Sequence, residues 1–336
     1  MTDNDQSLPA RRPRTVLTQI SSRAWEHAAD RAALSALRSI PGFDQVVRKV
    51  YGFFGERGVR LLFQANAVRV GPTQFPRVHA AFIDVCATMD WAPPPDLFIS
   101  QTPLVNAGAF GMDRPFIVLN SGALALLDDE ELHTILGHEL GHVISGHALY
   151  RTILFILLEF GFRNLPFLAG IALLPIQIAL LEWYRKSELS SDRAGLLASQ
   201  DPIASMRMFM KLAGGGKISE MNLDAFMTQA KEYEEGGGAM DTIYKVINTL
   251  GYTHPFHTLR AAELQRWVAG GDYDRILRGE YPKRGSDDDK QPLAADLGEA
   301  GKYYAEQAKG AVDTVADVAK KAREAFTSAF RGPGGQ

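Results

Sequence analysis

An otherwise apolar run, ILGHELGHVISGHA at residues 135 to 148, carries three histidines and a glutamate. A run this apolar belongs in an interior, and polar side chains taken inside need strong partners. On a helix, His138 and His142 are four apart and lie one above the other on the same face. Two imidazoles at that spacing can grip one Zn²⁺ ion. Glu139 follows the first histidine and can point at the open coordination position, where it can take a proton from water. This is the H-E-x-x-H arrangement, and the helix supplies its geometry. The competing reading is a core helix whose histidines bond backbone carbonyls, which leaves the Glu139 charge stranded in apolar surroundings. Gly137 and Gly141 also sit four apart in this helix, each at a cost of about 1 kcal/mol relative to alanine. With Ser145 and Ala148 they form a line of small residues against which another backbone can pack closely.

A catalytic zinc site wants a third protein ligand and one position left for water. His147 is one candidate. The extended pattern H-E-x-x-H-x-x-G-x-x-H needs glycine at 145 and histidine at 148, where this chain has Ser145 and Ala148, so the phase is wrong by one residue. The better candidate is Glu188 in YRKSELSSDRAG. Tyr184, Glu188, Ser191 and Gly195 form one helical stripe directly after a long apolar segment, which turns that stripe inward. Asp192 lies one turn beyond and can hold a ligand histidine through its second ring nitrogen. A salt-bridged helix using Arg185 or Arg193 is the alternative for the same residues. Cys86 is the only cysteine, which excludes an intrachain disulfide and a cysteine-cluster zinc site.

Along the chain, residues 1–20 are polar and proline-punctuated, and disorder is expected there. One sizeable globular unit is expected over 21–282. Helical spacing covers 21–40 and stops at Pro41-Gly42. A second helix is expected from Phe43 to Gly55, and a third over 76–90. A proline turn leads to a strand at Asp96–Ser100. Two further strands, Asn106–Gly111 and Phe116–Asn120, are joined by a turn. Asp128, Asp129 and Glu130 crowd the start of the motif helix, where the macrodipole favours negative charge, and that helix is expected to run to about Arg151. Residues 152–182 are nearly uncharged apart from Glu159 and Arg163, and three readings compete: buried core helices, a shallow hairpin in a membrane face, or a span. A charged linker over 283–300 and an amphipathic helix over 301–331, suited to a lipid or partner surface, complete the chain.

The net charge of −3 over 336 residues gives no basic excess to suggest nucleic acid. The opening MTDNDQSLPARRPRT has no apolar core or cleavage pattern. A cytoplasmic location is expected, in association with the inner face of a membrane if the apolar segment or the tail helix rests there.

HELGH, then ELSSD, then Thr253-His254-Pro255 followed by Arg260, resemble in order the M48 family of zinc metallopeptidases, which includes the heat-shock protease HtpX and the CAAX prenyl proteases. The resemblance spans roughly residues 60–270. It implies a mainly α (α+β) fold: a gluzincin-like helical core with a small edge β-sheet beside the active-site helix. It implies one Zn²⁺ held by His138, His142 and Glu188, with Glu139 as the base, and His254 and Arg260 reaching back to stabilise the oxyanion. The NAGAFG and PFIVLNSG segments resemble the family's edge strand beside that helix, and a polypeptide substrate would add as a strand along Phe116, Ile117, Val118, Leu119 and Asn120. The function implied is a metalloendopeptidase acting in protein quality control. A chaperone-like or membrane-surface binder with a structural zinc is the rival reading.

Overall fold

The computed structural model describes residues 13–160, 165–235 and 256–286. Its first residues are held firmly. Leu17 and Ile20 are fully buried. Arg14 reaches Asp84 at 2.7 Å, Glu130 at 2.6 Å and the Ser199 carbonyl at 2.9 Å. Packing therefore replaces the expected disorder over 13–20: two apolar anchors and one arginine with three partners outweigh the polar average of the segment.

A single 3₁₀ turn at Ser22–Ala24 precedes α1 (Ala28–Arg38), which is capped by the His27 ring accepting from the Ala29 amide. Next comes α2 (Phe43–Gln64). The break expected at Gly55 is there: this residue has the non-helical angles φ 58, ψ 174, and two helical stretches meet across a kink at it. Then follow β1 (Ala67–Arg69), α3 (Pro76–Thr88), β2 (Asp96–Ser100), β3 (Ala107–Phe110) and β4 (Phe116–Asn120).

The four strands pair in the order β1-β2-β4-β3, with β2 and β4 parallel and the other pairs antiparallel. Both edges of β4 are thus taken. No substrate strand can add along Phe116–Asn120, because every ladder position there already has a partner. The edge strands are β1 and β3. The side chains of β4 alternate between two cores: Ile117 and Leu119 join one, Phe116 and Val118 the other. This is the two-periodicity of a strand buried on both faces.

The short α4 (Ser121–Leu126) leads to α5 (Asp129–Ile144), the motif helix. Its start is a reciprocal capping box: Asp128 accepts from the Glu131 amide at 3.0 Å, and Glu131 accepts from the Asp128 amide at 2.9 Å. It does not run to Arg151. At Gly146, φ is +70, a conformation open to glycine and costly for other residues. The His147 amide bonds the His142 carbonyl and the Gly146 amide bonds the Val143 carbonyl, the closure that ends many helices. The next helix, α6 (Ala148–Phe160), leaves at a bend of 97°, which takes Ala148 off the small-residue line.

A long helix, α7 (Leu173–Ser199), then runs antiparallel to α5. The close approach expected from Gly137 and Gly141 is made here. A Cβ added at Gly137 would lie 2.3 Å from Ala198 Cβ, one at Gly141 2.5 Å from Ala194 Cβ, and one at Gly195 2.7 Å from the Thr134 carbonyl oxygen. The remaining helices are α8 (Pro202–Gly214), α9 (Leu223–Glu235), α10 (His257–Ala269) and α11 (Asp272–Leu277). Of these, α10 packs on α7, α8 and α9.

Within 152–182, Ile153, Leu154, Ile156, Leu157, Ile176 and Leu180 are buried with Val46, Val50 and Val59 of α2 in the second core. Leu158, Leu174 and Ile178 remain exposed. Among the described residues, no single helix is long and apolar enough to cross a membrane. His254, residues 287–300 of the linker and the helix expected over 301–331 lie outside the described residues.

Candidate metal centre and active site

Three donors converge between α5 and α7. His138 Nε2 and His142 Nε2 are 3.2 Å apart. His142 Nε2 lies 3.3 Å from Glu188 Oε1, and His138 Nε2 lies 3.5 Å from Glu188 Oε2. All three residues are buried, and they form a group able to hold a metal ion. The spacing is a demanding test of fit. Ligand atoms about 2.0–2.1 Å from a tetrahedral zinc stand about 3.3 Å from one another. The separation of the two nitrogens is close to that value, each ring faces a different oxygen of Glu188, and with one atom from each residue the three donors lie within 4.8 Å of one another; two imidazole nitrogens with a carboxylate are a donor set that zinc accepts.

The helices fix this geometry for simple reasons. The i, i+4 spacing stacks His138 over His142, and the glycine–alanine contacts bring the α7 backbone near enough for Glu188 to reach both rings. Asp192, one turn beyond Glu188, contacts His138 Nδ1 at 3.0 Å. Burial alone would pull the His138 ring down, but the bonds to Asp192 and Glu188 outweigh it and push its pKa up to about 9. Burial and the nearby Arg151 hold His142 well below the usual histidine value.

Arg260, from α10, sits differently from the oxyanion role expected of it. Its Nε and Nη2 donate to Asp192 at 2.8 and 2.5 Å, and its Nη1 lies 3.3 Å from Glu188 Oε2. With all three nitrogens turned to these carboxylates, it positions the groups behind the donors. Burial opposes ionisation of Asp192, yet Arg260 and His138 together keep its carboxyl below the ordinary range.

Glu139 is buried beside the cluster. Its Oε1 lies 3.9 Å from His138 Nε2, and its Oε2 accepts from Arg151 Nη1 at 3.2 Å. Arg151 also donates to the Tyr184 hydroxyl at 3.0 Å. One Glu139 oxygen is therefore held by a cation while the other faces the ligands. Sequence reasoning missed Arg151. It falls next to Glu139 only because the chain turns at Gly146, and residue spacing does not reveal that turn. Phe116–Asn120 lie in the sheet interior, and β3 is the strand that packs against both α5 and α6.

The model of peptidase family M48 matches residues 72–268. A plastoglobule-localized chloroplastic metallopeptidase 48 of Arabidopsis thaliana is 29% identical over 271 residues, covering 79% of this chain and 78% of its own. A protease HtpX homolog of Pseudarthrobacter chlorophenolicus is 27% identical over 241 residues, 64% of this chain and 80% of its own. An HtpX homolog of Methanothermobacter thermautotrophicus is 34% identical over 90 residues, 26% of this chain and 34% of its own. No solved structure matches. The matched stretch holds the donors His138, His142 and Glu188 and the adjoining Glu139, and the chain belongs to peptidase family M48, as a metallopeptidase.

Proposed function

We propose that this protein is a zinc-dependent metalloendopeptidase that cleaves polypeptides in protein quality control. The observation that carries this reading is the convergence of His138, His142 and Glu188, with donor atoms within 4.8 Å of one another, beside a buried Glu139. Zinc held by those three residues supplies Lewis acidity and brings the pKa of water toward neutrality. Glu139, anchored through Oε2 by Arg151, uses Oε1 to take the proton of the attacking water and then hands it to the leaving amine. Asp192 fixes the His138 ring by its Nδ1, and Arg260 holds Asp192 and Glu188 in place.

The substrate adds as a strand on β3, which pairs with β4 on one side and has no strand on its other side among the described residues. Backbone hydrogen bonds there would hold an extended polypeptide of many sequences. The test is cleavage of unfolded casein by wild type and Glu139→Gln. Zinc content should be equal and cleavage lost in the variant. Cleavage retained by pure Glu139→Gln sinks the proposal.

A membrane surface on the cytoplasmic side is the proposed setting. Phe53, Leu61, Leu174 and Ile178 each expose half or more of their surface on α2 and α7, which supports contact with lipid. Co-sedimentation with anionic vesicles should fall when Phe53 and Leu61 are changed to serine. Undiminished binding removes this part of the reading.

A further inference from the structure

We propose that His147 and Asp30 form a buried relay that orients His142 as a zinc ligand, and that the N-terminal helix α1 is thereby part of the metal site. This rests on the zinc reading above. His147 has the wrong phase to be a ligand, and Asp30 lies upstream of the stretch that matches the family.

The end of α5 places His147. In the closure at Gly146, the residue just past the turn comes to rest over the residue three from the helix end, where two apolar side chains often meet. Here the two residues are His147 and His142, and their Nδ1 atoms are 3.0 Å apart. On its far side, His147 Nε2 lies 3.2 Å from Asp30 Oδ2. Ser190 Oγ donates to the same Asp30 oxygen at 2.6 Å and accepts from the His27 amide at 2.9 Å. Trp183 meets the His147 ring edge-to-face, centroids 5.5 Å apart, and limits its rotation. Asp30, His147 and His142 are all buried.

One assignment of protons satisfies every link. His142 offers the Nε2 lone pair to the donor cluster, so Nδ1 carries the hydrogen and donates it to His147 Nδ1. His147 Nε2–H then donates to the Asp30 carboxylate. His138 is held by a carboxylate directly, and His142 is held by one through an intervening imidazole. Such a contact fixes ring orientation and raises ligand basicity. The burial of Asp30 fits this role. Its Oδ2 is bonded by His147 and Ser190, and its Oδ1 has no hydrogen-bond partner among the described residues. A buried carboxylate so sparsely bonded costs stability.

Full-length wild type, His147→Phe, His147→Gln and Asp30→Asn would be compared in three ways: zinc affinity by chelator competition, the visible spectrum of the cobalt-substituted protein, and melting of the zinc-free protein. His147→Phe should weaken zinc by about 10–100-fold and change the cobalt spectrum. His147→Gln, whose amide oxygen can accept from His142, should recover most of the affinity, and Asp30→Asn should fall between. A packing role alone would lower melting and leave affinity and spectrum as in wild type. That result in folded His147→Phe, or in the near-isosteric Asp30→Asn if the first does not fold, overturns the relay. Wild type that binds no zinc overturns the metal reading and the relay with it.

Discussion

Replacing Gly137 by alanine tests whether the contact between α5 and α7 sets the donor geometry. The added Cβ would lie 2.3 Å from Ala198 Cβ, roughly 1 Å inside ordinary carbon–carbon contact. Overpacking of this kind costs up to about 3 kcal/mol. Alanine recovers about 1 kcal/mol of helix propensity over glycine. The net loss is about 2 kcal/mol, or a drop in Tm of about 4–8 °C for a unit of this size. The consequence for metal is larger. If the helices part by roughly 1 Å, Glu188 moves from 3.3 Å to beyond 4 Å from His142 Nε2, too far for both to reach one ion at zinc bond lengths of about 2 Å. Chelator competition should show weakened zinc, and calorimetry should show the lower Tm. Ala198→Gly, combined with Gly137→Ala, removes the clashing methyl and should restore zinc affinity and part of the Tm, a coupling that a double-mutant cycle reads directly. Gly137→Ala with unchanged Tm and zinc affinity, or a double variant no better than the single, would refute the reasoning.

Other outcomes follow from particular residues. Arg151→Ala leaves the buried Glu139 carboxylate without its cation and should cost about 3–5 kcal/mol; urea denaturation measures this, and the loss should shrink when Glu139→Gln is added. Burial pushes the Cys86 thiol up to about 12, so iodoacetamide at pH 8 should label it only after unfolding; rapid labelling of the native protein would contradict its place in the core. At Asp128, burial works against the charge, but the Glu131 amide, Arg207 and Lys211 prevail and hold its carboxyl below the ordinary range. Because the folded value is the lower one, its contribution is present above about pH 4 and is lost as pH falls through the folded pKa. Asp128→Ala should therefore cost about 1 kcal/mol at pH 7, with the gap to wild type closing in acid.

The cluster of His138, His142 and Glu188 is more legible in the sequence than its surroundings. The i, i+4 periodicity that makes His138, Glu139 and His142 readable is a property of the helix itself. Glu188 and Asp192 could be read because they sit on one stripe after an apolar segment. The Phe116–Asn120 strand was located correctly and its role misjudged. Its unbroken apolar run, FIVL, is what a strand buried on both faces looks like, and that signal marks an interior strand, not an edge. Gly146 shows the limits of local reading: it ends a helix expected to run on, through a positive φ that the apolar pattern around it does not reveal. The contacts of Arg151 with Glu139, of Asp30 with His147 and of Arg260 with Asp192 join helices through turns and crossings that no short spacing encodes.

Zinc content measured by elemental analysis on wild type and Glu188→Gln, side by side after dialysis, tests the metal centre most directly. The expected result is one zinc ion per chain in wild type and little or none in the variant. Wild type without zinc, or a variant that retains all of it, would contradict a centre built from His138, His142 and Glu188.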